Sequence, residues 1–93
     1  MNLNTKITIP DSLFSQEVDD ETIVLDTNTQ EYFNFSSLGK VIWDMLLEEQ
    51  SLQEIYEELN EFMEIDSKQL ENDILNFVKS LKEKKLIIEE NEG

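Results

Sequence analysis

The chain has 93 residues, enough for one modest hydrophobic core, and its 22 acidic residues against seven lysines and no arginine give a formal net charge of −15. It contains no cysteine and no histidine, which excludes disulfides and thiol nucleophiles and removes the commonest general base and metal ligand. Proteins that bind duplexes gain affinity by neutralising phosphates with Lys and Arg, so nucleic acid is a disfavoured partner.

Nothing in the sequence predicts a membrane protein. No apolar run approaches the roughly 20 residues that a spanning helix needs, and the N-terminus lacks the basic-then-apolar order of a signal peptide. We therefore expect one soluble, cytoplasmic domain over residues 1–93, with an ordered core from about residue 5 to residue 88.

The first third of the chain predicts strands. Residues 5–9 alternate polar and apolar side chains and end at Pro10, which suits the end of a strand. Residues 11–20 are mostly polar, and we expect them to connect two strands, with a second strand beginning near Phe14 as the alternative.

A hairpin follows. Residues 21–26 are β-branched and apolar, and residues 30–35 resume an extended, aromatic-rich run after a short loop. The loop contains no glycine, so Asn28 is the best candidate for a left-handed backbone conformation.

Helical periodicity begins after the hairpin. Apolar side chains recur at the spacing of one helix face from a cap at Ser36 or Ser37 to about Glu48. Ser51 and Glu54 fit a capping box, in which each side chain accepts a hydrogen bond from a free amide of the first turn, and they open a second helix.

A third helix is predicted after the second. Asp66 and Gln69 repeat the capping pattern, and the helix is expected to end near Lys84. Residues 86–88 then predict a brief extended segment, and residues 89–93 a frayed tail.

Strands followed by helices with short connections predict an α+β fold, with a three-stranded antiparallel sheet packed with three helices, similar to a winged helix-turn-helix. The third helix of a DNA-binding winged helix carries basic residues, whereas here Glu71, Asp73 and Asn76 share it with lysines near its end. A winged-helix transcription regulator is therefore the less favoured alternative, and it predicts salt-sensitive DNA binding.

Charge is distributed unevenly. Nine acids and no base lie between Lys40 and Lys68, so the first two helices form either a solvated acidic face or a dock for a basic partner. Four of the seven lysines cluster around the end of the third helix, at positions 79, 82, 84 and 85. The helix dipole alone favours cations there, and the alternative is an acidic ligand that passes nearby.

The aromatic strand at residues 30–35 also has two interpretations. If it lies at the edge of the sheet, its unpaired backbone groups can bind an extended peptide as an added strand. The alternative is that its aromatic side chains belong to the core.

Taken together, these motifs resemble those of the PqqD-like proteins, also called RiPP recognition elements. The resemblance spans roughly residues 7–88, and it departs from the family at Gln30 and Lys85, where the family usually has glycine, and at Phe35, where it usually has leucine. The residues that carry it are Ile9-Pro10, Ile23-Val24-Leu25-Asp26, Tyr32-Phe33-Asn34-Phe35, Gly39, Ile42-Trp43, Asp73, Phe77, Leu81 and Leu86.

The resemblance implies a function without catalysis, metal or cofactor. Members of the family capture the leader segment of a ribosomally synthesised precursor peptide as a strand added to the sheet edge, and they deliver it to a modifying enzyme or leader peptidase. It implies backbone pairing along Glu31, Tyr32, Phe33, Asn34 and Phe35, and a groove lined by Tyr32, Phe33, Asp73, Asn76, Phe77, Ser80, Leu81 and Lys84.

The pathway is a further interpretation. A discrete chain with no fused enzyme favours lasso-peptide biosynthesis, where the partner is a separate leader peptidase. The alternative partner is a radical SAM enzyme, as in pyrroloquinoline quinone synthesis.

Overall fold

A computed structural model describes residues 1–90. Four strands come first, three helices follow, and a short strand closes the described part of the chain. The elements are β1 (Lys6–Thr8), β2 (Leu13–Val18), β3 (Glu21–Asp26), β4 (Glu31–Phe35), α1 (Ser37–Leu47), α2 (Leu52–Phe62), α3 (Ser67–Glu83) and β5 (Ile88–Glu90).

The strands form two antiparallel sheets, and the predicted α+β class is confirmed. The larger sheet has the order β2-β3-β4, and β1 pairs with β5 in a separate two-stranded sheet. β2 lies within residues 11–20, so the expectation of a simple connection is wrong and the alternative of a strand beginning near Phe14 is confirmed. Its alternation is inconspicuous in the sequence because its apolar Phe14 and Val18 face solvent.

The end of the chain also differs from its prediction. Glu89 and Glu90 were expected in a frayed tail but lie in β5, opposite Ile7 and Lys6 of β1. The strand forms there because the preceding Leu86 and Ile87 are buried in the core and hold the chain in place. Residues 91–93, the rest of the expected tail, lie outside the described residues.

One face of the larger sheet packs against the helices. Along β3, Thr22, Val24 and Asp26 are buried while the residues between them are more exposed, as a two-residue period requires. Thr22 donates a hydrogen bond from Oγ1 to Oδ1 of Asp44 in α1, at 3.2 Å. The buried core combines this face with the helices: Val24, Phe35, Ile42, Trp43, Met45, Leu46, Leu52, Ile55, Leu59, Leu70, Ile74, Val78, Leu81, Leu86 and Ile87.

Local hydrogen bonds fix the starts of α2 and α3. The amide of Glu54 donates to Ser51 Oγ at 3.1 Å and the amide of Ser51 donates to Glu54 Oε1 at 3.0 Å, which confirms the predicted capping box. The Ser51 amide that donates to the Glu54 carboxyl holds the pKa of that carboxyl below its ordinary value, and the Ser51 hydroxyl contributes less. Asp66 Oδ2 accepts from the Gln69 amide at 3.2 Å, whereas Ser36 occupies the α1 cap position without a side-chain capping bond.

The turn between β3 and β4 corrects another prediction. The left-handed residue is Gln30, with φ of 64°, and not Asn28. Asp26 organises this turn, because its Oδ1 accepts from the Asn28 amide at 2.9 Å and its carbonyl accepts from the Gln30 amide at 2.7 Å. Lys85 is also left-handed, with φ of 62°. Both residues stand where the resembling family usually has glycine.

Gln30→Gly should raise the free energy of unfolding by about 0.5–1 kcal/mol, since glycine removes the steric cost of a left-handed side chain and adds a smaller entropy to the unfolded chain. Urea denaturation followed by circular dichroism measures the change. Asn28→Gly is the control, and it should lower stability because Asn28 has no positive φ to relieve. An equal gain in both variants would contradict the role of the backbone angle.

Candidate functional site

β4 forms one edge of the larger sheet. It pairs with β3 in the register that places Phe35 opposite Thr22 and Glu31 opposite Asp26, and no strand of residues 1–90 pairs with its other side. In an antiparallel edge strand, alternate residues direct their N–H and C=O groups away from the sheet. The edge therefore offers backbone donors and acceptors to an added strand.

The side chains of β4 point to two different surfaces. Phe33 and Phe35 point toward the helices, where Phe33 is half-buried against the core and Phe35 is 6% exposed. Tyr32 and Asn34 point to the opposite face, and Tyr32 is 69% exposed. Phe33, and not Tyr32, thus lies on the same side of the sheet as α3.

Aromatic contacts fix the end of β4 against two helices. The ring centroids of Phe35 and Trp43 in α1 are 5.3 Å apart, and Phe35 meets Phe77 of α3 edge-on, also with centroids 5.3 Å apart. Phe77 lies directly against Gly39 of α1, where an added Cβ would come within 3.0 Å of its Cε1 atom. Any larger residue at position 39 requires the Phe77 ring to move, so glycine sets how closely α1 and α3 approach.

A cleft of about 570 Å³ lies between the β3–β4 turn, the segment before β2, the end of α3 and β5. Lys82 lines the cleft from the α3 side, and its Nζ lies 3.4 Å from Oε1 of Glu89 in β5. The contact of Phe35 with Phe77 joins β4 to α3, whereas this cleft adjoins the turn that precedes β4. The cleft is lined by Pro10, Ser12, Asp26, Asn28, Thr29, Lys82, Lys85, Ile87, Ile88 and Glu89.

The α3 residues predicted for the groove fall along one side of the helix at three- and four-residue spacing. Of these, Asp73, Phe77 and Ser80 are half-buried, and Asn76 and Lys84 are exposed. Ser80 donates from Oγ to the Phe77 carbonyl at 2.7 Å, and Asp73 accepts from Gln69 Nε2 at 2.8 Å.

Two members of the predicted set are core residues. Phe35 and Leu81 are almost completely buried, so their side chains shape the groove from beneath it, and only the backbone of Phe35 is available for strand pairing.

Sequence reasoning missed part of this region. The cleft residues Asn28, Thr29, Lys82 and Lys85 were not predicted as site residues. The lysine cluster and the family glycine at position 85 were the available signals. Gly39 was expected only to help pack α1 onto the sheet. Its contact with the Phe77 ring joins residues far apart in the chain, so no local sequence pattern reveals it.

Other kinds of site are not found in the part of the chain that the structure describes. Within residues 1–90, no group of three or more acidic side chains is placed to hold a metal ion, and every buried side-chain nitrogen or oxygen has a hydrogen-bond partner. No helix among these residues is long and apolar enough to cross a membrane.

Fold and edge together define a small α+β domain whose sheet ends in an open aromatic strand beside its third helix. Its sequence matches the family model described as Coenzyme PQQ synthesis protein D (PqqD) over residues 21–87. The chain therefore belongs to the PqqD family, as its motifs predicted. No curated protein sequence matches it.

Two solved structures share the fold. The first is TbiB1 in complex with the TbiA(beta) leader peptide, which is 30% identical, superposes with a TM-score of 0.82, and covers 86% of this chain and 93% of its own. The second is lasso peptide synthetase B1 complexed with the leader peptide, with 23% identity, a TM-score of 0.81, and 88% and 96% of the two chains covered. The lower identity of the second supports the fold alone.

Phe35→Leu should lower the free energy of unfolding by about 1–2 kcal/mol, because leucine loses both aromatic contacts and leaves part of the ring volume empty. Chemical denaturation measures the loss. Tyr32→Leu is the matched control in the same strand, and as an exposed site it should change stability by less than about 0.5 kcal/mol. Equal effects in the two variants would show that the aromatic contacts of Phe35 contribute nothing specific.

Proposed function

We propose that the chain is a non-catalytic adaptor in lasso-peptide biosynthesis. It binds the leader segment of a ribosomally synthesised precursor peptide by strand addition to β4 and presents it to the enzyme that processes the leader. The observation that carries this proposal is the unpaired edge of β4 beside α3. The relative TbiB1, at 30% identity, supports it because that protein is seen in complex with a leader peptide.

Strand addition divides the interaction between backbone and side chains. Backbone bonds along residues 31–35 supply affinity that does not depend on leader sequence, and alternate leader side chains enter the groove beside Phe33 and Phe77. A micromolar complex requires about −8 kcal/mol. A handful of hydrogen bonds at about 1 kcal/mol each and two or three apolar side chains at about 1.5–3 kcal/mol each are enough to supply it after the costs of association.

The composition supports an adaptor over an enzyme. The chain has no histidine or cysteine to act as a general base or thiol nucleophile. Chemistry on the precursor then belongs to a partner, which we propose to be a leader peptidase or other modifying enzyme in the cytoplasm.

A second partner class follows from the family itself. The matching family model is named for coenzyme PQQ synthesis, so a radical SAM peptide-modifying enzyme is the alternative recipient. The leader site is the same in both cases, and the recipient enzyme distinguishes them.

Titration of the ¹⁵N-labelled chain with the leader of the precursor encoded beside it should shift the amides of residues 31–35 and 73–84. Phe33→Ala should weaken binding at least tenfold because Phe33 faces α3, whereas Tyr32→Ala should change it less than threefold. The free energy of unfolding of each variant is measured alongside. Unchanged amides across residues 31–35 would refute strand addition.

Lys84 is exposed at the end of α3, so we predict that the bound leader places acidic residues close to that end of the helix. Lys84→Gln should lower leader affinity about two- to fivefold at low salt, as expected for an exposed ion pair, and reduce the salt dependence of binding. Isothermal titration at several salt concentrations measures both effects. Lys68→Gln, exposed in the first turn of the same helix, makes the same charge change and should leave affinity unaltered. Equal losses in the two variants would indicate a general effect of net charge.

A further inference from the structure

The larger sheet has a second face, turned away from the helices, which we call the outer sheet face. Strand register defines its members, because Leu25 of β3 lies opposite both Phe14 of β2 and Tyr32 of β4. The three side chains form one cross-strand row. The full set is Phe14, Gln16, Val18, Glu21, Ile23, Leu25, Tyr32 and Asn34.

This face is unusually apolar for a surface open to water. Antiparallel sheets with one solvated face normally carry polar residues on it. Here Phe14 is 61% exposed, Tyr32 69% and Val18 41%, and half-buried Leu25 and Ile23 lie between them. Large contiguous apolar patches on soluble proteins mark surfaces that another molecule covers.

The charges around the outer sheet face select the kind of molecule. Residues 7–39, which include the whole sheet, contain seven acids and no lysine. Lys6 and Lys40 border this stretch, and Lys40 hydrogen-bonds to Glu17 at 2.8 Å and Asp44 at 2.6 Å. Those bonds raise the pKa of Lys40, the one to Asp44 contributing most. The acidic side chains at the margin include Asp19, Asp20 and Glu21.

A second copy of the chain does not fit this surface, since pairing two such faces would bring two acidic margins together in a protein of net charge −15. A protein with an apolar patch bordered by Lys and Arg does fit. Opposite charges would also accelerate its encounter with this chain.

We propose that the outer sheet face docks the enzyme that receives the leader, through an apolar patch bordered by basic residues on that enzyme. This inference rests on the proposed function. A leader strand added to β4 extends the same sheet, and Tyr32 lies on the edge strand where the face and the leader adjoin. An enzyme seated on the outer sheet face would therefore contact the adaptor and the bound leader side by side.

The test measures the affinity of the full chain for the purified leader-processing enzyme encoded beside the precursor gene, with and without leader peptide. Phe14→Ser and Val18→Ser should each lower enzyme affinity at least tenfold while leader affinity stays within twofold. Phe62→Ser is the matched control, because Phe62 is 76% exposed but lies at the end of α2, and it should change neither affinity.

The charged margin is tested in the same assay. Glu21→Lys should slow association with the enzyme at least threefold, and Glu61→Lys, an equal charge change on exposed α2, should leave it unaltered. This pair separates the outer sheet face from the acidic helices as the docking surface.

Three results would overturn the inference. One is equal enzyme affinity for the wild type and Phe14→Ser, and another is a loss of affinity confined to Phe62→Ser or Glu61→Lys. The third is a wild-type dimer in sedimentation analysis that Phe14→Ser converts to monomer, since a second copy would then cover the face. Absence of leader binding by the wild type would refute the proposed function alone. The affinity of the chain for the enzyme is also measured without leader peptide, so that result still tests the docking surface.

Discussion

The contact of the Phe35 ring with Trp43 and Phe77 positions the rest of the site. It joins the last residue of β4 to both α1 and α3, and each aromatic pair is worth about 0.5–1.5 kcal/mol beyond the area it buries. Trp43 is held in turn by a hydrogen bond from its Nε1 to Ser15 Oγ of β2, at 3.1 Å. Gly39 permits the close approach of Phe77. One end of β4 is thereby fixed while its outer edge stays unpaired.

A fixed strand edge is useful for binding because the strand has little freedom left to lose. The two-residue period of β4 assigns Phe33 to the helix side and Tyr32 to the outer sheet face, and the unpaired backbone lies between them. One five-residue strand thus contributes to the core, the open edge and the exposed apolar face. A shift of register by one residue would exchange the two faces, so the buried Phe35 also specifies which side chains meet a ligand.

Helices were predicted well because their signals are local. Apolar periodicity and the caps at Ser51 and Asp66 lie within a few residues of the helix starts, and the observed bounds agree with them. In the larger sheet, β3 and β4 lie where they were predicted, but β2 was predicted only as an alternative, because it exposes Phe14 and Val18 and so lacks the inward apolar pattern. Pairing of β1 with β5 joins opposite ends of the chain, and no local pattern encodes it.

The candidate site was predictable only in part for the same reason. Aromatic residues at positions 32–35 were visible in the sequence, but the position of β4 at the edge depends on strand order. The turn illustrates a second limit. Asn28 has the better intrinsic preference for left-handed backbone, yet the hydrogen bonds to Asp26 place that conformation at Gln30. The family glycine, and not residue propensity, indicated the correct position.

Lys85 shows how local strain and charge placement combine at the cleft. A left-handed conformation costs a side-chain-bearing residue about 1–2 kcal/mol relative to the ordinary backbone regions, and glycine would avoid that cost at φ of 62°. The lysine instead lines the cleft together with Lys82. The helix dipole favours cations in the last turn of α3, but Lys85 lies beyond that helix. The left-handed backbone at Lys85 has a structural cause, because it ends α3 as a Schellman cap: the Leu86 amide donates to the Leu81 carbonyl at 2.9 Å and the Lys85 amide to the Lys82 carbonyl at 3.0 Å. Glu49 repeats the arrangement after α1, so the conformation follows from ending a helix, and the lysine side chain is what this chain adds at the cleft.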